Sequence, residues 1–143
     1  MNESNTELIV TRVFEAPSER VWKAWTTPEQ IARWFAPGII MDVIELDVRV
    51  GGHFRFVDPD DRDSGEYTGT YITVDPLKEL SFTVIDFSRT DDPAGEKAGF
   101  TVTFESLNEQ TRMTLTALPP ENSYDKETFD AWSGCFDRLA SVI

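Results

Sequence analysis

The sequence predicts an α+β domain: a run of antiparallel strands, one long amphipathic helix at the carboxy terminus, and two short helices after the first strand. Three observations predict it. Between residues 40 and 118 the chain reads as six strand-like segments joined by turns of a few residues, and connections that short make neighbouring strands antiparallel. Residues 125–142 carry apolar side chains at helical spacing on one face, which lays that helix on something apolar. Between Pro17 and Phe35 two shorter apolar clusters recur at helical spacing.

Each element follows in order. Residues 6–15 are rich in branched side chains (Ile9, Val10, Thr11, Val13) and end at Ala16-Pro17, as a strand does. Val21, Ala24 and Trp25, with Trp22 beside them, then Ile31, Trp34 and Phe35, mark the two short helices. Thr27-Pro28-Glu29-Gln30 separates them, with a capping Thr, proline at the first helical position and Gln at the third. Ala36-Pro37-Gly38 stops the second. Strands are expected at 40–50, 54–57, 67–74, 80–88, 100–106 and 112–118, punctuated by Gly51-Gly52, Asp58-Pro59-Asp60-Asp61, Asp75-Pro76, Asp92-Pro93-Ala94-Gly95 and Asn108-Glu109. Pro119-Pro120 ends the sheet and Asn122-Ser123 is placed to cap the last helix. On that helix Phe129, Trp132, Phe136, Leu139, Ala140 and Ile143 share an arc of about 100°, with Asp130, Asp137 and Ser141 opposite.

Composition excludes several functions. The 143 residues hold 13 Lys and Arg against 26 Asp and Glu, a formal charge of −13. No basic run exists to grip a phosphate backbone, so a general nucleic-acid binder is excluded, and anionic membrane surfaces are disfavoured. One domain over residues 1–143 is expected, because a chain of this length buries roughly 70% of its unfolded surface. Cys135 is the single cysteine and His53 the single histidine, which excludes an internal disulfide and the common zinc clusters. Nothing calls for a metal or a cofactor. The amino terminus lacks the order of a signal peptide and no apolar run reaches membrane-spanning length, so a soluble, cytoplasmic protein is expected, monomeric or a weak homodimer.

Several stretches stand together in a recognisable order: 17–29 (Pro-Ser-Glu-Arg-Val-Trp-Lys-Ala-Trp-Thr-Thr-Pro-Glu), Trp34-Phe35-Ala36-Pro37, 47–56 around Gly51-Gly52-His53-Phe54, 69–76 from Gly69-Thr70-Tyr71 to Asp75-Pro76, and Asp137-Arg138-Leu139. With them the chain resembles the bacterial proteins similar to the carboxy-terminal domain of the activator of heat-shock protein 90 ATPase. These lie within the START-like (SRPBCC, Bet v 1-like) superfamily that includes the birch-pollen allergen. The resemblance covers nearly the whole chain. It implies a helix-grip fold, a curved antiparallel sheet wrapped around the terminal helix with a cavity between them closed by the two short helices. The chain departs from these relatives at Gly134-Cys135, where an aromatic usually follows the glycine; a smaller side chain at the edge of the buried face should enlarge or reshape the cavity.

Candidate site residues come from the strand faces. Phe54 with Phe56, Phe82 with Val84, Phe100 with Val102 and Phe104, and Met113 with Leu115 stack at i and i+2. With Phe129, Trp132 and Phe136 from the helix, and Cys135 at its edge, they would line a pocket for an apolar ligand; the plainer alternative is an ordinary packed core. Trp34, just before Pro37-Gly38, is placed either to gate a cavity mouth with its indole N–H or to wedge helix against sheet. Tyr71 and Arg112 are the polar residues whose parity or position could aim them inward. Asp42 and Glu45 are expected on opposite faces of their strand and so form no carboxylate pair. His53 and Cys135 make a weak nucleophile and base, since nothing places them together. The acidic groups Asp58, Asp60, Asp61, Asp63 and Glu66, and Asp91, Asp92 and Glu96, depart from calcium-loop spacing and read as solvated hairpin tips.

Three function classes remain. The first is non-enzymatic binding of a small hydrophobic or amphipathic molecule between sheet and terminal helix. The second, suggested by the resemblance, is a protein-interaction module acting beside a chaperone; the eukaryotic activators use an additional amino-terminal domain for which this chain has no room. The third is a cyclase- or lyase-type enzyme on the same fold, which needs a titratable group in the cavity, with Tyr71 and Arg112 as the only candidates.

Overall fold

The computed structural model describes residues 8–35, 40–60, 66–86, 97–118 and 126–143. The proposed stops at Ala36-Pro37-Gly38 and Pro119-Pro120, the cap at Asn122-Ser123, the residues Asp61 and Asp63, and the tip with Asp91, Asp92 and Glu96 lie outside them. In chain order the elements are β1 (Ile9–Phe14), α1 (Ser18–Thr26), α2 (Pro28–Trp34), β2 (Asp42–Leu46), β3 (His53–Val57), β4 (Glu66–Asp75), β5 (Glu79–Asp86), β6 (Lys97–Leu107), β7 (Gln110–Leu118) and α3 (Lys126–Val142). The strands form one curved sheet in the order β1-β7-β6-β5-β4-β3-β2, antiparallel at every pairing. This is the helix-grip arrangement.

Alternation explains which face is covered. Val10 and Phe14 of β1, Phe54 and Phe56 of β3, Leu80 and Phe82 of β5, Phe100, Val102 and Phe104 of β6, and Met113 and Leu115 of β7 are all buried on one side. Against that face lie Val21, Ala24 and Trp25 of α1, Ile31 and Trp34 of α2, and Cys135, Phe136 and Leu139 of α3. Helix α3 packs beside α2 on one flank and β1 on the other.

Two irregularities shape the sheet. The β2–β3 register shifts between Val43 and Glu45, and the β4–β5 register between Tyr71 and Thr73. Each inserts an isoleucine, Ile44 or Ile72, that stands exposed, after which the inward side chains resume at Leu46, opposite Phe54, and Val74, opposite Leu80. Tyr71 thus pairs with Phe82 and Val74 with Leu80, all on the inside although 71 and 74 differ in parity. The same device corrects the expectation for Asp42 and Glu45. They sit opposite Val57 and Arg55, positions of like parity, and so share a face.

Polar ties fix the helices. Thr111 Oγ1 donates to the Ala16 carbonyl at 2.8 Å and lies 3.2 Å from Ser18 Oγ, joining the start of α1 to β7 inside the core. Arg12 of β1 reaches α3, pairing with Asp137 at 2.8 Å and donating to the Ser133 carbonyl. The expected capping side chain at Thr27 is absent: Thr27 holds the extended cap conformation and Pro28 opens the helix, but it accepts from Gln30 and Ile31 through its backbone carbonyl alone.

Gly69 is required by a close approach. It pairs with Phe54 and Val84, and an added Cβ would collide with the Thr83 carbonyl oxygen and the Phe54 ring. Gly69→Ala should therefore destabilise by about 2–3 kcal/mol, the scale of overpacking a filled core. Urea denaturation of the variant checks this, and an unchanged midpoint would contradict it.

Candidate functional site

Short helices α1 and α2 owe their place to two tryptophans. Trp25 is buried and its Nε1 donates to Met113 Sδ at 3.2 Å, which joins α1 to the middle of β7. Trp34 is fully buried, and its Nε1 donates to the Ala24 carbonyl at 2.8 Å. The two indoles pack edge to face with centroids 4.6 Å apart. Trp34 is thus the wedge between helices, with its N–H occupied, and does not stand at an open mouth.

Phe35 follows directly and sits among other rings. Its centroid is 5.1 Å from Phe56, 5.3 Å from Tyr67, 6.2 Å from Trp132 and 6.5 Å from Phe54. The carbonyls at the end of α2 are capped from α3: Arg138 Nε donates to the Trp34 carbonyl at 3.2 Å, and Cys135 Sγ to the Phe35 carbonyl at 3.4 Å. A cation is favoured at a helix end whose carbonyls have no partner within the helix. Arg138 also donates to Cys135 Sγ at 3.2 Å. Burial pushes the Cys135 thiol up, with Arg138 opposing it. His53, by contrast, is exposed on β3 beside Thr70, on a different element from the buried Cys135.

A cavity of about 10 Å³, room for a single water, lies beneath these helices. Trp25, Ile31, Phe35, Phe54, Phe56, Tyr71, Leu80 and Phe82 line it, with no charged side chain among them. Of the expected pocket residues, Phe54, Phe56, Tyr71 and Phe82 come together here. The rest do not. Met113 is filled by Trp25, Phe104 by Trp22 at 5.4 Å, and Phe100 by Trp132 at 5.0 Å, while Val84 and Phe136 are buried outside the lining. The small Cys135 opens no space into the cavity, because the Phe35 carbonyl and Arg138 occupy its surroundings.

Two expectations need correction. Arg112 faces away from the core, paired with Glu105 at 2.7 Å, because its neighbours Thr111 and Met113 take the inward parity. Phe129 is 40% exposed, since only the part of α3 from Trp132 onward is enclosed by α2 and the sheet. Four lining residues escaped sequence reasoning, namely Trp25, Ile31, Phe35 and Leu80. The signal for the first three was present: the apolar faces of both short helices had to cover the same aromatic strand face.

Tyr71 is the polar residue of the lining. It is 3% exposed, packed against Phe54 at 5.5 Å and Phe82 at 6.4 Å, and its hydroxyl has no hydrogen bond among the described residues. Burial pushes its ionisation well above the usual value of 10.0. Among the described residues no group of three His, Cys, Asp or Glu is placed to hold a metal ion, and no helix is long and apolar enough to cross a membrane.

Comparison with known proteins sets this site in a family. The profile described as Activator of Hsp90 ATPase homolog 1-like protein matches residues 15–143. Among solved structures, a protein from Chromobacterium violaceum is similar at 24% identity, with 96% of each chain covered and a TM-score of 0.74. A protein from Staphylococcus epidermidis is similar at 21% identity, covering 99% of this chain and 91% of the other, with a TM-score of 0.77. DynU16, from the dynemicin biosynthetic locus, matches at 20% identity over 96% of this chain and 47% of its own, with a TM-score of 0.73. At these identities the likeness is one of fold. No match was found among curated proteins.

The Tyr71 phenol gives a pH prediction. The folded state keeps it neutral while the unfolded chain releases its proton near 10.0, so above that pH the unfolded state binds fewer protons and stability falls as pH rises. Urea midpoints measured from pH 8 to about 11 should decline more steeply in the parent than in Tyr71→Phe; parallel curves would contradict the assignment.

Proposed function

The chain belongs to the Activator of Hsp90 ATPase homolog 1-like family, and we propose that it binds a small neutral apolar molecule, without catalysis, in the aromatic cavity beneath α1 and α2. The observation that carries this reading is the cavity wall itself. Five phenylalanine, tyrosine and tryptophan rings from β3, β4, β5 and α1, together with Phe35, converge on one spot whose surface is wholly apolar. Rings on every side offer faces and edges against which a planar apolar molecule packs. The location of DynU16 in a biosynthetic locus supports a small-molecule role on this fold without naming a ligand for this chain.

In the closed form no ligand ring fits, because an apolar cavity that holds benzene measures about 150 Å³ and this one about 10 Å³. Phe35 is the plug whose withdrawal makes room. It is one side chain thick and sits at the end of a seven-residue helix, tied to α3 by two side-chain bonds.

A protein-interaction role is the second reading. It is favoured by the near-filled core and by Ile9 and Val13, which stand 48% and 44% exposed on the outer face of edge strand β1.

Titration with benzene, followed by calorimetry, separates the two. Phe35→Ala, which empties the plug to a space of about one ring, should bind benzene at least tenfold more tightly than the parent while retaining its near-ultraviolet circular dichroism; Ile31→Ala provides a second opening of the same wall. Absence of binding in both folded variants would sink the ligand reading and leave the interaction module. Native mass spectrometry of gently purified parent protein then identifies what occupies the site.

A further inference from the structure

We propose that edge strand β1 pairs with β1 of a second copy of this chain, antiparallel and centred on Thr11, so that two sheets join into one. The inference is independent of what the cavity holds, and it gives the exposed Ile9 and Val13 a specific partner. The sheet begins at β1, which has only β7 as a strand neighbour among the described residues. Just before β1, the Leu8 carbonyl accepts from the Ala117 N–H, and backbone groups alternate in direction along a strand. Residues 8, 10, 12 and 14 therefore turn their N–H and C=O groups to β7, while Ile9, Thr11 and Val13 turn theirs to the free edge. The same outward residues carry exposed side chains on the outer face, whereas Val10 and Phe14 are buried inside.

Edge strands normally carry a charge, a proline or a bulge that discourages such pairing. The opposite edge of this sheet does so: the β2 register is interrupted between Val43 and Glu45, and Asp42 and Glu45 stand along that strand. Strand β1 has none of these devices on its outer face. Its register with β7 runs unbroken from Ile9 to Phe14, and its charged residue, Arg12, is held by Asp137 and Ser133 of α3. In a chain of formal charge −13, the stretch from Leu8 to Phe14 contains no Asp or Glu, so two copies meet here without opposed carboxylates within the strand. Self-complementarity selects the occupant. A two-fold axis at Thr11 sets Ile9 of each copy against Val13 of the other and Thr11 against Thr11, branched side chains that pack well across strands. That register engages every outward backbone group of β1 at once, whereas registers two residues away carry Val13 or Ile9 past the end of the partner strand.

Pairing along one six-residue strand is a small interface beside the roughly 1,200–2,000 Å² of stable complexes, so the dimer is weak and forms as concentration rises. Sedimentation equilibrium of the full chain up to about 1 mM should show the mass climbing from 16.2 kDa toward twice that value. It should climb no further, because the β2 edge offers no second site. Thr11→Lys sets like charges against each other at the axis and should weaken association roughly tenfold or more. Thr103→Lys, exposed on β6 away from the edge, should leave it within twofold, and urea midpoints check that both variants fold. Thr11→Cys reads the register directly. Paired residues stand about 5.5 Å apart between Cα atoms, within disulfide reach, so mild oxidation should link two chains through residue 11 and leave Thr103→Cys unlinked, with Cys135 buried in both. A parent that stays monomeric at about 1 mM overturns the proposal and leaves the edge to a strand of another protein. A dimer that Thr11→Lys does not weaken, or that Thr11→Cys does not cross-link, overturns it as well.

Discussion

The structure depends on one geometric constraint: a seven-stranded curved sheet presents more apolar face than one helix can cover. Helix α3 has 17 residues, and it lies between β1 and α2. The rings of β3 and β5 would remain open to water without a second cover. Helices α1 and α2 supply it, and their sequence is built for the purpose. Val21, Ala24 and Trp25 form a buried stripe on the first, and Ile31, Ala32 and Trp34 on the second. The two tryptophans satisfy their N–H groups on Met113 and Ala24, so burying them leaves no donor unpaired. The proposed site follows from the same constraint, because a cover made of two short pieces leaves a seam, and the cavity lies under it.

The seam is closed by weak bonds. Withdrawing Phe35 exposes one buried aromatic side chain, roughly 1.5–3 kcal/mol of apolar burial, and breaks the contacts of Arg138 and Cys135 with the last carbonyls of α2. An open form that lies a few kcal/mol above the closed one is a minor state of roughly 0.1–10%, from which a ligand can draw the equilibrium. A closed resting cavity and a binding function are therefore compatible, and the tightness of the resting core sets how much affinity is lost to opening.

Much of the fold was legible in the sequence. Strand alternation and the amphipathic stripe of the last helix are local signals, and all seven strands and three helices fall where those signals lie. The site was legible only in part. Phe54, Phe56, Tyr71 and Phe82 were identifiable from parity, but the two register shifts were not, since Ile44 and Ile72 look like any branched strand residue until the partner strand shows them to be extra. Those shifts put Asp42 and Glu45 on one face and bring both Tyr71 and Val74 inside. The helical wheel misplaced Phe129 for a related reason: a wheel gives direction around the axis and is silent on how far along the axis the sheet extends. Arg112 was misjudged because a strand's first residue fixes no parity until its neighbour Met113 is seen on Trp25.

The proposed opening belongs on the α2 side because the two flanks of α3 are held differently. On the β1 side, Arg12 joins α3 to a strand whose backbone is laddered to β7 through all six residues from Ile9 to Phe14. Moving that flank would break a sheet pairing. On the α2 side, the partner is a single short helix, too short to be stable without its packing and held to α3 by side-chain bonds to two carbonyls. A displacement of α2 leaves every strand pairing intact. It also uncovers the wall that contains Phe54, Phe56 and Tyr71, so the cover that can shift without breaking the sheet lies over the aromatic wall.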